Sequence, residues 1–356
     1  MNAPARLSAP TVRAARLDEA DEAQRIEAFV RAMPGGTIFH TPRWLKAVER
    51  GCGQPAHMLL AERGGEISGI LPLTAIHSPF FGRALVSSGF GVGGGILAAS
   101  RSGVGRLGDA AWSLAETLHC DEVELRGGEI PKGWESLTGI YADFTRPLEA
   151  DADAQLQSIA RKQRAEIRKS LEAYLRVDIG SGERSRAAHY RIYATSVRNL
   201  GTPVFPRSLF DAVLDMFGDE ADIMTVRHQG RAVASVLTLY FEGRAMPYWG
   251  GGLFEARALK ANERMYFSLM NHAREAKGCD RFDFGRSKIG TGPYHYKKNW
   301  GFKPEPLVYA RKLAPGVEPR EINPQSSRYR MKVALWKKLP LFVANRLGPF
   351  IARGLG

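Results

Sequence analysis

The chain repeats itself, and this limits its architecture more than composition does. Met224–Leu239 lies over Met58–Leu73 at a constant offset of 166, with Met on Met, Gly230 on Gly64, Leu237 on Leu71 and Leu239 on Leu73. Further on, Gly250-Gly251-Gly252-Leu253 echoes Gly93-Gly94-Gly95-Ile96, and Cys279-Asp280-Arg281-Phe282-Asp283-Phe284 echoes Cys120-Asp121-Glu122-Val123-Glu124-Leu125. Three echoes in one order predict a tandem duplication. Each copy alternates short apolar strands with helical stretches. The expected fold class is therefore α/β (α+β), with two similar mixed-sheet domains and covering helices.

Within the first copy, His57–Ala61 and Ile67–Ile76 flank Gly64-Gly65, a hairpin signal. Thr41 is a helix N-cap with Pro42 at the first helical position, which puts His40 and Trp44 about one turn apart. Ala23–Met33 reads as an amphipathic helix ended by Pro34-Gly35-Gly36. The expected organisation is a flexible N-terminus at 1–24, a first domain at 25–150, a second at 151–313 holding the active cleft, and a basic tail at 314–356.

Charge is unevenly placed. Residues 1–150 carry 15 Lys/Arg against 17 Asp/Glu, residues 151–310 carry 25 against 18, and residues 311–356 carry 10 against 2. The excess of +13 thus lies in the second half, which points to an anionic partner there. The helix around Leu156–Leu175 carries Arg161, Lys162, Arg164, Arg168 and Lys169 beside an apolar face. It is either a solvated basic face or a phosphate contact to nucleic acid or a nucleotide-linked substrate. Residues 326–356 hold seven cations and no acidic residue, interleaved with Leu335, Trp336, Phe342, Leu347 and Phe350. That is the pattern of a segment lying on anionic lipid, broken into pieces at Pro340 and Pro349, with docking on the protein or on RNA as the competing reading.

Three dispersed cysteines without metal-like spacing argue against a disulfide framework or a metal site. With no signal-peptide pattern and no apolar run of about 18 residues, a cytoplasmic protein is expected, with peripheral attachment to the inner membrane's cytoplasmic face. No G-x-S-x-G, Walker A, H-E-x-x-H or Rossmann glycine fingerprint is present. The remaining chemistry-bearing stretch is Cys279–Phe302. In it a strand over Arg281–Phe284 breaks at Gly285 into a loop with Arg286 and Lys288, followed by Tyr294-His295-Tyr296-Lys297-Lys298-Asn299-Trp300-Gly301. Backbone N–H groups and cations meet there, which suits an anionic or carbonyl-bearing ligand.

Phe282-Asp283-Phe284-Gly285-Arg286-Ser287 together with Tyr296-Lys297-Lys298-Asn299-Trp300-Gly301-Phe302 resembles the signature of the FemAB-like aminoacyltransferases. The entry motif Phe39–Trp44 and the Ile-Arg-Lys core of Arg164–Lys169 are similar too. The likeness covers roughly residues 35–312 and is nearest to the FemAB-like proteins of exosortase/PEP-CTERM polysaccharide systems. It implies two GNAT-type acyltransferase domains and transfer of an acyl or aminoacyl group to an amine of a peptidoglycan, exopolysaccharide or other cell-envelope precursor. The implied co-substrate is acyl-CoA or aminoacyl-tRNA, with no bound cofactor. The acyl-CoA loop position reads Glu255–Asn262 without glycines, and Asp178–Arg198 has no room for the long helical hairpin of tRNA-using members.

By this resemblance Lys297 is the oxyanion or leaving-group stabiliser, Asp283 the general base or orienting carboxylate, and Tyr294 a proton shuttle. Arg286, Lys288, Lys298, Tyr248, Trp249, Trp44 and His40 are the candidate substrate-binding residues, and Arg257, Lys260 and Asn262 the donor-binding ones. A catalytically silent protein recruiting an anionic lipid-linked glycan or RNA is the alternative reading. The first copy follows its strand with Arg126-Gly127-Gly128-Glu129 and lacks the Lys297–Trp300 cluster, so the expected cleft belongs to the second copy.

Overall fold

A computed structural model of the protein describes residues 9–320 and 327–356. The described residues form two compact units, one of 9–137, 308–320 and 353–356 and the other of 138–307 and 327–352. In the first, strands run in the order Thr11–Ala14, Ala56–Arg63, Glu66–Ser78, Gly82–Ser87, Glu122–Arg126, Tyr309–Leu313, Glu135–Leu137. In the second, the order is Leu175–Gly180, Ala221–His228, Arg231–Phe241, Arg244–Gly252, Arg281–Asp283, Thr145–Pro147.

The duplication is borne out strand for strand. In each unit three antiparallel pairings lead to one parallel pairing, Leu85 opposite Val123 in the first and Ala245 opposite Phe282 in the second. A parallel neighbour needs a crossover. Helix Arg101–Thr117 supplies it in the first unit and helix Ala261–Glu275 in the second. Each sheet buries apolar side chains under its crossover helix, Leu71, Leu85, Leu107 and Val123 in one and Val236, Met265, Leu269 and Phe282 in the other.

One correction concerns register. The hairpin turns are Gly64-Gly65 and Gln229-Gly230, all at positive φ. The bulges fall between Ala61 and Glu62 and between Val226 and Arg227. Turn and bulge both correspond at an offset of 165, one less than the residue match suggests. Apolar identity tolerates a one-residue slide in strands with long buried runs, whereas turn geometry does not.

Of the expected lead-in at 1–24, residues 1–8 lie outside the described residues. Thr11–Ala14 is an ordered edge strand, because the Arg13 guanidinium donates to both carboxylates of Glu22 and Glu62 at 2.7–2.9 Å. Thr41 caps helix Pro42–Cys52 as expected, accepting from the Trp44 N–H at 3.3 Å. In the tail, Pro340 separates helices Ser327–Lys338 and Leu341–Ala352, but Pro349 stays inside the second. Pro349 forgoes the hydrogen bond to the Asn345 carbonyl four residues earlier, and the helix runs on for three residues beyond it.

Candidate functional site

The parallel ladder in the second unit joins only Arg244 to Arg281 and Ala245 to Phe282 among the described residues. Beyond it strand Arg244–Gly252 runs on, while Arg281–Asp283 stops and its chain turns away at Gly285, φ +70°. A bulge between Leu237 and Thr238 adds to this divergence. The sheet is therefore open at the carboxyl ends of two parallel strands, where α/β sheets present their ligand-binding groups.

Asp283 sits at the end of the shorter strand, and its carboxylate accepts the Gly285 N–H at 2.8 Å. The chain then forms a short strand, Ser287–Lys288, against Tyr141–Asp143, turns, and enters helix Gly292–Asn299 with a proline in its first turn. That helix carries Lys297, buried, back over the turn: its ammonium donates to the carbonyls of Gly285 at 2.6 Å and Arg286 at 3.1 Å. It also lies 5.4 Å from the centre of the Phe144 ring and 5.9 Å from that of Phe284.

The electrostatics of this pair are unusual. Burial pushes the Lys297 ammonium down to about 8, with the charge of Arg286 acting the same way and Asp143 and Asp283 opposing. Burial, then the nearby Asp143 charge, raises the Asp283 carboxyl to about 7, against the Gly285 N–H, Arg244 and Lys297. An acid normally ionised and a base normally protonated thus both approach neutrality, the condition for proton exchange at physiological pH.

Other expected residues surround this pair. The Arg286 guanidinium stacks over Tyr141 at 4.6 Å. Tyr294 packs edge-on against Phe144 at 5.4 Å and lies under the Lys298 ammonium at 5.7 Å. Lys288 is on the short strand and its carbonyl accepts from the Thr291 hydroxyl at 2.7 Å. Tyr248 and Trp249 lie on the long open strand. Trp249 is buried against Phe210 at 4.8 Å, with Tyr248 edge-on to it at 4.8 Å.

The donor-binding candidates gather where that strand passes into helix Ala261–Glu275. Lys260 caps the helix in the left-handed region, φ +53°, its N–H donating to the Arg257 carbonyl at 3.3 Å. Its ammonium pairs with Glu166 at 2.6 Å, and Glu166 also meets Lys169 at 2.9 Å. Those contacts, Lys260 first, hold the Glu166 carboxyl down at about 2. Asn262, in the helix's first turn, faces Gly252 so closely that a Cβ there would stand 2.7 Å from its amide oxygen. That oxygen is buried with no hydrogen-bond partner among the described residues. The helix N-terminus suits a phosphate or carbonyl ligand, while the unsatisfied amide oxygen calls for an N–H or O–H donor on the same ligand.

His40 and Trp44 belong to the first unit and are buried there. The His40 ring lies between the Thr37 N–H and the Gly95 carbonyl, and the Trp44 indole donates to the Gly89 carbonyl at 3.1 Å. In this structure both fix the glycine-rich loop Gly89–Gly95. At the position matching Asp283, the first unit has Glu124, ion-paired with buried Arg126 at 2.7 Å, and no counterpart of Lys297.

Sequence reasoning missed Tyr141, Asp143 and Phe144. They precede Lys297 by some 150 residues, and only the pairing of Tyr141–Asp143 with Ser287–Lys288 and of Thr145–Pro147 with Arg281–Asp283 brings them in. The alternation in Tyr141-Ala142-Asp143-Phe144 was the one available signal.

Residues 158–298, which contain the catalytic and donor-binding candidates but not His40 or Trp44, match the family described as Acetyltransferase (GNAT) domain. Among curated proteins, none matches the chain. Among solved structures, FemX superimposes with a TM-score of 0.62 at 15% identity, over 80% of this chain and 95% of its own. The tandem GNAT protein from the clavulanic acid biosynthesis pathway gives 0.54 and 11%, over 86% and 100%. L-PGS from Bacillus licheniformis gives 0.51 and 13%, over 87% and 95%. The chain thus has the tandem GNAT-like fold, and its residues 158–298 match the acetyltransferase domain family of that name.

Proposed function

We propose that the protein transfers an acyl or aminoacyl group, from acyl-CoA or aminoacyl-tRNA, to an amine on a cell-envelope or exopolysaccharide precursor. The FemAB-like resemblance of Phe282–Phe302 supports that class of acceptor and the exosortase setting, together with a working position on the cytoplasmic face of a membrane. The observation that carries the proposal is the Asp283–Lys297 pair, tuned toward neutrality at the open end of a GNAT-type sheet. The match of residues 158–298 to an acetyltransferase domain supports the reaction type.

In this mechanism the acceptor enters as an ammonium and must lose a proton before it attacks the donor carbonyl. Asp283, ionised above about 7, takes that proton. Lys297, charged below about 8, offsets the negative charge that grows on the tetrahedral oxygen or on the departing group. Arg286 holds an acceptor phosphate or carboxylate through a two-pronged contact, its plane fixed over Tyr141. The Lys260–Asn262 helix start receives the donor. Donor selection and acceptor are tested by supplying the purified protein with acetyl-CoA or charged tRNA and envelope extracts, and by following mass gain on amines. Replacing Lys297 by Ala is expected to lower turnover by about 10²–10³-fold, as for loss of a single charge-stabilising group. Unchanged turnover removes Lys297 from the mechanism.

A further inference from the structure

Helices Ser327–Lys338 and Leu341–Ala352 are arranged the wrong way round for segments that simply complete a core. In the second, the residues facing the protein are small: Ala344, Gly348 and Ala352, at intervals of four, are buried. The backbone of Gly348 meets Val204 so closely that a Cβ would stand 3.0 Å from it. The large apolar residues point away: Phe342 is 76% exposed, Phe350 56% and Leu347 47%. Arg346 is exposed between them, one turn from Phe342 and one from Phe350. The first helix turns Val333 and Trp336 toward the protein but also exposes large apolar residues, Met331 at 82% and Leu335 at 66%. Lys337 and Lys338 are exposed beside them.

A water-facing helix normally buries its largest apolar side chains and exposes its charges. This pair displays both together. Five large apolar side chains on two consecutive helices exceed the scattered exposure usual for a water-facing surface. The first helix is held at its end, just before Pro340, where the Arg198 guanidinium donates to the carbonyls of Lys337 at 3.3 Å and Leu339 at 3.2 Å. Gly201 lies against Val333 and Lys337, where a Cβ would stand 2.4 Å and 3.1 Å from them. From Ile322 to Gly356 there is no acidic residue, so nothing on these helices repels an anionic surface. No helix among the described residues is long and apolar enough to cross a bilayer.

We infer that these two helices bind the surface of an anionic phospholipid bilayer, seating Met331, Leu335, Phe342, Leu347 and Phe350 below the headgroups while Lys337, Lys338 and Arg346 pair with lipid phosphates. Apolar residues enter the acyl boundary and cations remain with the headgroups. This deepens the membrane-side location proposed above and is independent of the transfer chemistry. A structured RNA would use the cations alone and leaves the exposed Met, Leu and Phe side chains in water.

The test is cosedimentation of the full-length protein with vesicles of phosphatidylcholine, alone or with about 30 mol% phosphatidylglycerol, at near-physiological salt. Wild type is expected to pellet with the anionic vesicles and far less with the neutral ones. The F342S/F350S double variant is expected to lose about 100-fold in partitioning, roughly tenfold per phenylalanine. K337E/K338E/R346E is expected to lose at least about fivefold per cation. F342S/F350S leaves the inward face untouched, Lys337 alone among the substituted cations lies against Gly201, and unchanged thermal melts confirm folding; L335S is a further apolar variant on the other helix. Transfer to a water-soluble amine, measured in parallel, is expected to be the same in all variants, so that failure of the chemistry and failure of the membrane contact are read separately. Undiminished pelleting of F342S/F350S and L335S, or a shift of RNA by wild type with no pelleting on anionic vesicles, overturns the inference.

Discussion

Asp283 and Lys297 make opposite and separable demands on pH. Catalysis in the proposed direction needs ionised Asp283 and charged Lys297, so the rate rises through about 7 and falls through about 8. The predicted profile is a narrow bell whose limbs belong to the interacting pair, measurable as kcat/KM against pH. Asp283→Asn is expected to abolish the acidic limb along with most activity. Stability gives an independent check. The folded-state value of Asp283, about 7, lies above the ordinary 3.8, so the native protein holds that proton more tightly than the unfolded chain. Its contribution therefore weakens as pH climbs from about 4 to 7. Relative to wild type, Asp283→Asn is expected to gain on the order of 2 kcal/mol between pH 4.5 and 7.5 in urea melts. Lys297 works in the other direction: its lowered value costs stability below about 8 and is relieved as pH rises toward 10.5. A stability gap between D283N and wild type that does not move with pH contradicts the raised carboxyl. At this scale both residues were singled out by the resemblance of Phe282–Phe302, a single short stretch of sequence. It did not name Asp143, whose proximity depends on a pairing between segments far apart in the chain.

Helices and turns were the most legible elements, since their signals are local. Thr41-Pro42, Gly64-Gly65 and Gly285 each act within a few residues, and each does what its chemistry predicts. Thr41→Ala removes the cap on Trp44 and the hydroxyl's bond to the Ile38 carbonyl at 2.6 Å, an expected loss of about 1 kcal/mol in denaturant melts. The glycine-rich loop could be spotted but not interpreted. Its glycines look alike in sequence, yet a Cβ on Gly95 would stand 1.8 Å from the Gly127 carbonyl oxygen. Gly95→Ala is therefore expected to cost about 4 kcal/mol or to prevent folding. Gly105, in helix Arg101–Thr117 with nothing within 4 Å of such a Cβ, is expected to respond the other way. Gly105→Ala adds about 0.5–1 kcal/mol. Comparable effects at the two positions contradict this distinction between close approach and spare flexibility.

At the scale of the whole molecule, the chain leaves the first unit before that unit's sheet is finished. Strand Tyr309–Leu313 lies between Glu122–Arg126 and Glu135–Leu137, five register pairs to one neighbour and three to the other. Its alanine, Ala310, is part of the first unit's core, and just beyond it Arg320 pairs with buried Glu122 at 3.2 Å. The repeat in the sequence revealed two copies but not this return, because residues 309–313 echo nothing in the first copy. A strand that supplies ladder bonds on both sides cannot be removed without leaving two sets of backbone groups unpaired. A fragment of residues 1–150 is thus expected to expose the edges of Glu122–Arg126 and Glu135–Leu137 and to be proteolysed or to aggregate. Joining residues 306–322 to it through a flexible linker is expected to restore a cooperative melt. A soluble, cooperatively melting 1–150 fragment without that strand shows instead that the first unit's core is sufficient on its own.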